Sequence, residues 1–382
     1  MEFPIERFNE KETPFYYYDT DLLRQTLAEI NRCTKGLPYH VHYAIKANAN
    51  AGLLEVIRQE GLGIDCVSGG ELKAALAAGF EPRKIVFAGV AKTDKEIRAG
   101  LEAGIQCFNV ESMNELEVIN ELAKEYGTKA NVAIRINPNI DAHTHKYITT
   151  GLNENKFGIS LEMLDDVISK ALKMDGIELS GIHFHIGSQI TENGPFATLC
   201  DKINELVPHL ESLGANIRTI NVGGGLGIDY TNPDGHPIAD FESYFGTFKT
   251  RLHLKPQQEL HFELGRSVVA QCGALITRVI YVKQGVNKKF VMVDAGMTDL
   301  IRPALYQAHH NIENITSKSA ESDCYDVVGP ICESSDVFGT NETLPVTSRG
   351  DLLALRSAGA YGEIMASRYN CRELPGSMLK EH

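Results

Sequence analysis

No apolar run in the chain approaches the roughly 18 residues that a membrane-spanning helix needs. The opening residues, MEFPIERFNEKETPFYYYD, carry charges where a signal peptide requires an apolar core. Both absences lead to the expectation of a soluble, cytoplasmic protein with no membrane partner. Positive charge is scarce: 37 Lys and Arg against 50 Asp and Glu leave a formal charge of −13. That balance argues against nucleic acid or an anionic membrane surface as the main partner. Small anionic ligands remain open, because they respond to local charge. Eight cysteines are scattered without a CxxC pair, which reads as reduced thiols rather than a disulfide framework or a zinc site. There is no G-x-G-x-x-G fingerprint opening a strand–helix unit, so a Rossmann dinucleotide site is not indicated.

What the chain does have is a recurring unit. Between residues 40 and 265, short apolar runs rich in Val, Ile and Phe alternate with stretches of helical spacing. The runs are VHYAIKA, GIDCVS, KIVFAG, IQCFNV, NVAIRIN, LSGIHFHIG, IRTINVG and ELHFELG. Segments such as AGLLEVIRQEG and MNELEVINELAKEYG lie between them, several ending in Gly, a common helix stop. Alternation of this kind predicts a parallel sheet, and eight units close most economically into a (β/α)8 barrel. After residue 265 the helices give way to strands: ALITRVIYVKQGVNKKFVMVDAG reads as a hairpin around Gly-Val-Asn, with further strands in CYDVVGPIC and DLLALRSAG. The expected fold is therefore α/β, a TIM-like barrel over residues 31–265 plus a C-terminal all-β domain over 266–382. Residues 1–30 are expected to join the β-domain, although PFYYYD, directly ahead of the barrel, is also a candidate for an extra barrel strand. The connection INPNIDAHTHKYITTGLNENKFGIS is longer than a linker needs and is a candidate site loop.

Barrel chemistry gathers at the carboxyl ends of the strands, and polar residues fall there. The first run ends in Lys46, in HYAIKAN, where a buried ammonium needs a partner or a lost proton. The second has Asp65 and Ser68; the sixth has His183, His185 and Ser188; the seventh runs into GGGLG and the eighth into ELGR. Gly223, Gly224 and Gly225 make either a tight turn or a phosphate cradle, since backbone N–H groups approach an anion where no Cβ intervenes. Two alternating histidines raise the question of a metal, but with no carboxylate or cysteine at a matching spacing no metal is expected. An imidazole stacked on an aromatic ligand fits better. Glu263 either pairs with Arg266 or faces a pyridine nitrogen. A lysine that forms a Schiff base, a cradle, a stacking histidine and a ring-nitrogen carboxylate together describe a pyridoxal phosphate (PLP) site.

The ordered motifs YAIKAN, HFHIGSQ, NVGGGLG, ELGR and GPICES resemble the fold-type III PLP-dependent decarboxylases, over nearly the whole chain. The resemblance implies an alanine-racemase-like barrel plus β-domain, with Lys46 carrying the Schiff base, His185 on the ring and Glu263 at the pyridine nitrogen. It places Gly223, Gly224, Gly225, Ser188, Arg266 and Tyr361 around the phosphate, with Asp65 nearby. Cys332 would reprotonate the carbanion and Glu333 would receive a distal ammonium, both entering the neighbouring subunit's site in a homodimer. In IRPALY, Arg302 and Tyr306 look like ligands for a distal carboxylate, the alternative for Arg302 being a surface ion pair. With the loop motifs HTHKYITTG and KFGIS, this points to the diaminopimelate branch: meso-diaminopimelate to L-lysine and CO2, the last step of lysine biosynthesis. Rival readings are decarboxylation of ornithine, arginine or carboxynorspermidine, a racemase of the same fold, and a catalytically silent regulator. One departure stands out: Leu264 replaces the family's usual Pro.

Overall fold

The computed structural model describes residues 1–140 and 156–381. The loop motif HTHKYITTG lies outside the described residues. By its contacts the chain divides into two compact units, one comprising Met1–Thr26, Ile228–Ala239 and Arg266–His382, the other Leu27–Gly227 and Asp240–Gly265. The excursion Ile228–Ala239, which follows the seventh barrel strand in sequence, thus belongs to the unit that holds the C-terminal sheet.

In the first unit, β1 (Phe15–Tyr18) pairs antiparallel with a later strand, β10 (Gly273–Gln284), and parallel with β16 (Gly376–Leu379). PFYYYD therefore adds no strand to the barrel. All four of its strand residues are buried on both faces, so its run of aromatics lacks the alternation of a one-sided strand.

In the second unit, β2 (Tyr39–Ala44), β3 (Gly63–Cys66), β4 (Ile85–Phe87), β5 (Cys107–Val110), β6 (Ala130–Arg135), β7 (Ile177–His183), β8 (Thr219–Asn221) and β9 (Glu259–Leu264) form a closed parallel barrel in chain order. These are the eight runs read from the sequence. β9 closes on β2 with His42 opposite Glu263 and Tyr43 opposite Leu264. Leu264 is the last residue of β9, buried and paired in the strand, where it supplies the backbone N–H that a proline lacks. The helices start and stop where local chemistry directs. Ser68 caps Gly69–Ala77 by accepting from the Glu71 N–H, so its place at the strand end serves the helix. Thr93 and Glu96 form a capping box for Asp94–Ala103, which ends at Gly104 in the left-handed region.

The C-terminal strands of the first unit are β10 (Gly273–Gln284), β11 (Lys289–Val293), β12 (Ile312–Asn314), β13 (Ser322–Val328), β14 (Val337–Pro345), β15 (Leu352–Leu355) and β16 (Gly376–Leu379). The sheet order is β12-β15-β10-β11-β13-β14, with β1 and β16 attached through β10. The β10–β11 hairpin turns through Gly285, whose N–H bonds the Lys288 carbonyl. β14, VFGTNETLP, ends the sheet order and has a mostly polar, partly exposed sequence, which is why it carries no apolar signal.

Candidate active site

Lys46 sits in a single 3-10 turn, Ile45–Ala47, directly after β2. The turn is held on its far side: the Tyr43 hydroxyl donates to the Asn48 carbonyl at 2.8 Å, and Asn50 caps the next helix, Ala51–Gln59. The lysine is placed by a strand, a hydrogen-bonded turn and a helix start in succession. Its neighbour is a carboxylate rather than an apolar wall: Nζ lies 3.8 Å from Oδ2 of Asp65, the third residue of β3. Asp65 is fully buried, and neither carboxylate oxygen accepts a hydrogen bond among the described residues. Burial pushes its carboxyl well above the ordinary range, the charge of Glu263 adds to this, and Lys46 works against it.

Glu263 is the hub of the barrel interior. Its Oε1 accepts from Asn109 Nδ2 at 2.9 Å and from Asn221 Nδ2 at 2.8 Å, while Oε2 lies 2.9 Å from His183 Nε2. All four side chains are buried. Burial alone would raise the Glu263 carboxyl; His183, joined by Lys46, outweighs burial and holds it well below the usual range. A carboxylate offers about four lone-pair directions, and three are taken. One remains for a further N–H donor.

His183 and His185 have different roles. His183 ends β7 and serves Glu263. His185 lies beyond the strand, and its Nδ1 accepts the Gly224 N–H at 3.2 Å. A backbone N–H can only donate, so Nδ1 holds a lone pair and the proton of the neutral ring is on Nε2. Burial and the positive charges of Lys46 and Arg135 push its pKa well below the ordinary value, keeping the ring uncharged. Gly223 donates to Asn221 Oδ1 at 2.9 Å, so part of the glycine turn's donor capacity goes to orienting its own neighbours. The glycines are also needed for fit: Gly223 has φ +68°, and a Cβ on Gly224 would collide with the Glu263 carbonyl oxygen. Ser188 is half-buried in the segment that follows His185.

Behind this cluster, Glu111 accepts from Arg135 Nη1 at 2.7 Å and from the Gly158 N–H at 3.0 Å. That bond ties down the returning end of the long loop at KFGIS.

The first unit contains a second polar cluster. Arg266 is buried, donates to the Tyr230 hydroxyl at 2.6 Å, and lies 4.9 Å from the centre of the Tyr361 ring. Tyr361 holds φ +57°, a left-handed conformation unusual for a tyrosine. Arg302 opens the short helix Arg302–Tyr306, lies 5.2 Å from the Tyr230 ring centre, and donates from Nε to His310 Nε2 at 3.3 Å. His310 Nδ1 faces the Arg356 carbonyl at 2.9 Å and so carries the proton, leaving Nε2 free to accept. Arg302 is 5% exposed, and among the described residues no carboxylate pairs with it. The surface ion pair considered from sequence is thus not what is found. Burial lowers its pKa, and the like charge of Arg266 adds to the shift. Two buried guanidiniums ringed by Tyr230, Tyr306 and Tyr361 make an anion-receptive surface.

Cys332 and Glu333 lie on an exposed turn of the same unit. The turn is anchored by Asp336, which accepts from the Ile331 and Met297 N–H groups, and by Asn370, which accepts from the Cys332 N–H. Glu333 accepts from the Tyr369 hydroxyl at 2.8 Å.

Residues 23–270 match the family described as "Pyridoxal-dependent decarboxylase, pyridoxal binding domain". The chain belongs to the pyridoxal-dependent decarboxylases. Among relatives of this decarboxylase, the diaminopimelate decarboxylase of Bacteroides thetaiotaomicron is 62% identical over 98% of this chain and 97% of that protein. The Pseudomonas aeruginosa diaminopimelate decarboxylase is 45% identical over 98% of this chain and 88% of that one. In three dimensions, diaminopimelate decarboxylase from Helicobacter pylori, crystallised with L-lysine, superposes with a TM-score of 0.93 at 42% identity, covering 99% of this chain and 94% of that one.

The barrel residues of this decarboxylase fit a pyridoxal group. Lys46 stands 3.8 Å from the buried carboxylate of Asp65, whose oxygens accept no hydrogen bond among the described residues, and Glu263 is held ionised with one acceptor direction left. Sequence reasoning missed Asn109, Asn221, Tyr230 and His310. The first two were visible as asparagines at the ends of apolar runs, IQCFNV and IRTINV; the last two gave no local signal.

Proposed function

We propose that this decarboxylase converts meso-diaminopimelate to L-lysine and CO2 with pyridoxal phosphate held at Lys46. We further propose that it acts in the cytoplasm as a homodimer in which Cys332 and Glu333 serve the neighbouring subunit's site. The observation that carries the substrate assignment is Arg302, a buried guanidinium with no carboxylate partner among the described residues. Burying an uncompensated cation is costly, and a substrate carboxylate gripped by two parallel hydrogen bonds would compensate it. The relatives named above support the same substrate.

In this reading Lys46 would hold the cofactor's aldehyde carbon, His185 its ring face and Glu263 its ring nitrogen. Gly223, Gly224, Gly225, Ser188, Arg266 and Tyr361 would hold its phosphate, with Asp65 beside Lys46. When bound, the cofactor supplies the electron sink for the bond to the departing carboxylate. Glu263, ionised and saturated on three sides, keeps a proton on the N–H it faces. The neutral His185 can pack against an aromatic plane without adding charge. Arg302 and Tyr306 would grip the distal carboxylate and Glu333 the distal ammonium, which leaves the other carboxylate to depart. Cys332 would deliver the proton that replaces it.

The test is CO2 release from a panel of meso-diaminopimelate, ornithine, arginine and carboxynorspermidine. Release from meso-diaminopimelate with formation of L-lysine is expected. Equal or faster release from ornithine would overturn the assignment.

A further inference from the structure

We propose that His40, Glu259 and His261 bind one divalent cation of the zinc class at the N-terminal ends of β2 and β9, where the barrel's first strand closes on its last. This site is separate from Lys46, which follows the C-terminal end of β2. The sequence alone leads to the expectation of no metal, on the grounds of the scattered cysteines and of His183 and His185; His40, Glu259 and His261 are different side chains.

The Lys84 carbonyl oxygen lies 3.2 Å from His42 Nδ1. A carbonyl only accepts, so His42 carries its proton on Nδ1. His42 is fully buried, and a buried imidazole favours its neutral form. Its Nε2 is then a lone pair, which accepts from His261 Nδ1 at 2.8 Å. With its proton on Nδ1, neutral His261 presents a bare lone pair at Nε2. That atom is buried and hydrogen-bonded to nothing among the described residues. It points at a carboxylate: Glu259 Oε2 is 3.6 Å away, and His40 Nε2 is 3.5 Å from the same oxygen. The three donor atoms all lie within 4.8 Å of one another. Lone pair facing carboxylate is repulsive unless a cation lies between them.

Geometry and chemistry agree on the kind of cation. Donors about 2.0–2.2 Å from a tetrahedral zinc stand roughly 3.3–3.6 Å apart, the range of the 3.5 and 3.6 Å separations here. Two imidazoles and a carboxylate suit zinc and its neighbours rather than calcium or magnesium. Metal-bound histidines commonly donate their other N–H to an acceptor that fixes the tautomer, and His261 does so through His42 to Lys84. His40 and Glu259 are each about half exposed, at 50% and 52%, which opens an entry path from solvent. The bound ion would staple strands whose facing histidines, His42 and His261, are 219 residues apart in sequence. Because the unfolded chain cannot assemble this set, binding would stabilise the folded barrel.

The test is zinc titration of untagged, chelator-treated holoenzyme by calorimetry, with the thermal midpoint followed in parallel. One equivalent per chain and a raised midpoint are expected. Glu259→Gln and His40→Ala, both at half-exposed positions, should each weaken binding at least tenfold and abolish the shift in midpoint. Zinc-free CO2 release should be unchanged in both. The proposal is overturned if the wild-type chain takes up no stoichiometric zinc, as it would if His261 instead carries a proton toward Glu259. Equal zinc uptake by both variants, which would place the metal elsewhere, overturns it too.

Discussion

His183 Nε2 lies 2.9 Å from Glu263 Oε2 with both side chains buried, and this contact supplies the largest opposition to the carboxylate's desolvation. Replacing the charge while keeping the shape tests its part in catalysis. For Glu263→Gln we expect turnover to fall roughly 10²- to 10³-fold, the range seen when one preorganised electrostatic group is removed, with cofactor still bound. The sign with pH follows from the depressed folded-state pKa. The stabilisation from this ion is present above the ordinary carboxylate range and is lost as pH falls toward the folded value. The wild type should lose midpoint on acidification through pH 4.5 more steeply than Glu263→Gln.

Asp65 has the opposite sign. Its folded pKa is raised, so the unfolded chain ionises first, and the folded state loses stability as pH rises from 3.8 toward the folded value. In cofactor-free protein at neutral pH, Asp65→Asn should raise the thermal midpoint. A lower midpoint for the variant would show that the contact with Lys46 outweighs the burial of the carboxylate.

Arg302→Lys keeps a positive charge but loses the planar fork and the bond to His310. A charge-assisted hydrogen bond contributes about 1.5–3 kcal/mol, so kcat/KM for meso-diaminopimelate should drop about 10- to 150-fold. The cofactor's visible absorbance should stay as it is. Unchanged kcat/KM would remove Arg302 from substrate recognition.

The shared-site proposal is tested by mixing two inactive variants. Lys46→Ala and Cys332→Ala homodimers should each be impaired, the first without the cofactor's visible absorbance and the second with it. If Cys332 serves the partner's site, subunit exchange produces a heterodimer with one intact site, and activity should return on mixing. Without recovery after demonstrated exchange, each chain uses its own cysteine or none.

The barrel was legible because its signal is local. Each apolar run is long enough to be a buried parallel strand, and several intervening helices carry a cap or a stop, as Ser68, Thr93 and Gly104 show. β14 was not legible, since an exposed edge strand needs no apolar run. The site residues visible in sequence were those of a type that is out of place where it stands, such as Lys46 after an apolar strand or Glu263 inside one. Asn109, Asn221 and Tyr230 are ordinary in their own segments, and their partners lie far along the chain.

The sequence by itself determined the eight-fold strand–helix alternation, the polar residues at the strand ends and the family they belong to, because periodicity, capping and motif order act within a few residues of each other. Only the tertiary structure decided which of those residues meet. Glu263 draws its hydrogen bonds from β5, β7 and β8, and the lone pair of His261 is set through His42 by the carbonyl of Lys84. Protonation and charge inside a barrel depend on neighbours brought together by closure, and no local stretch of chain contains that information.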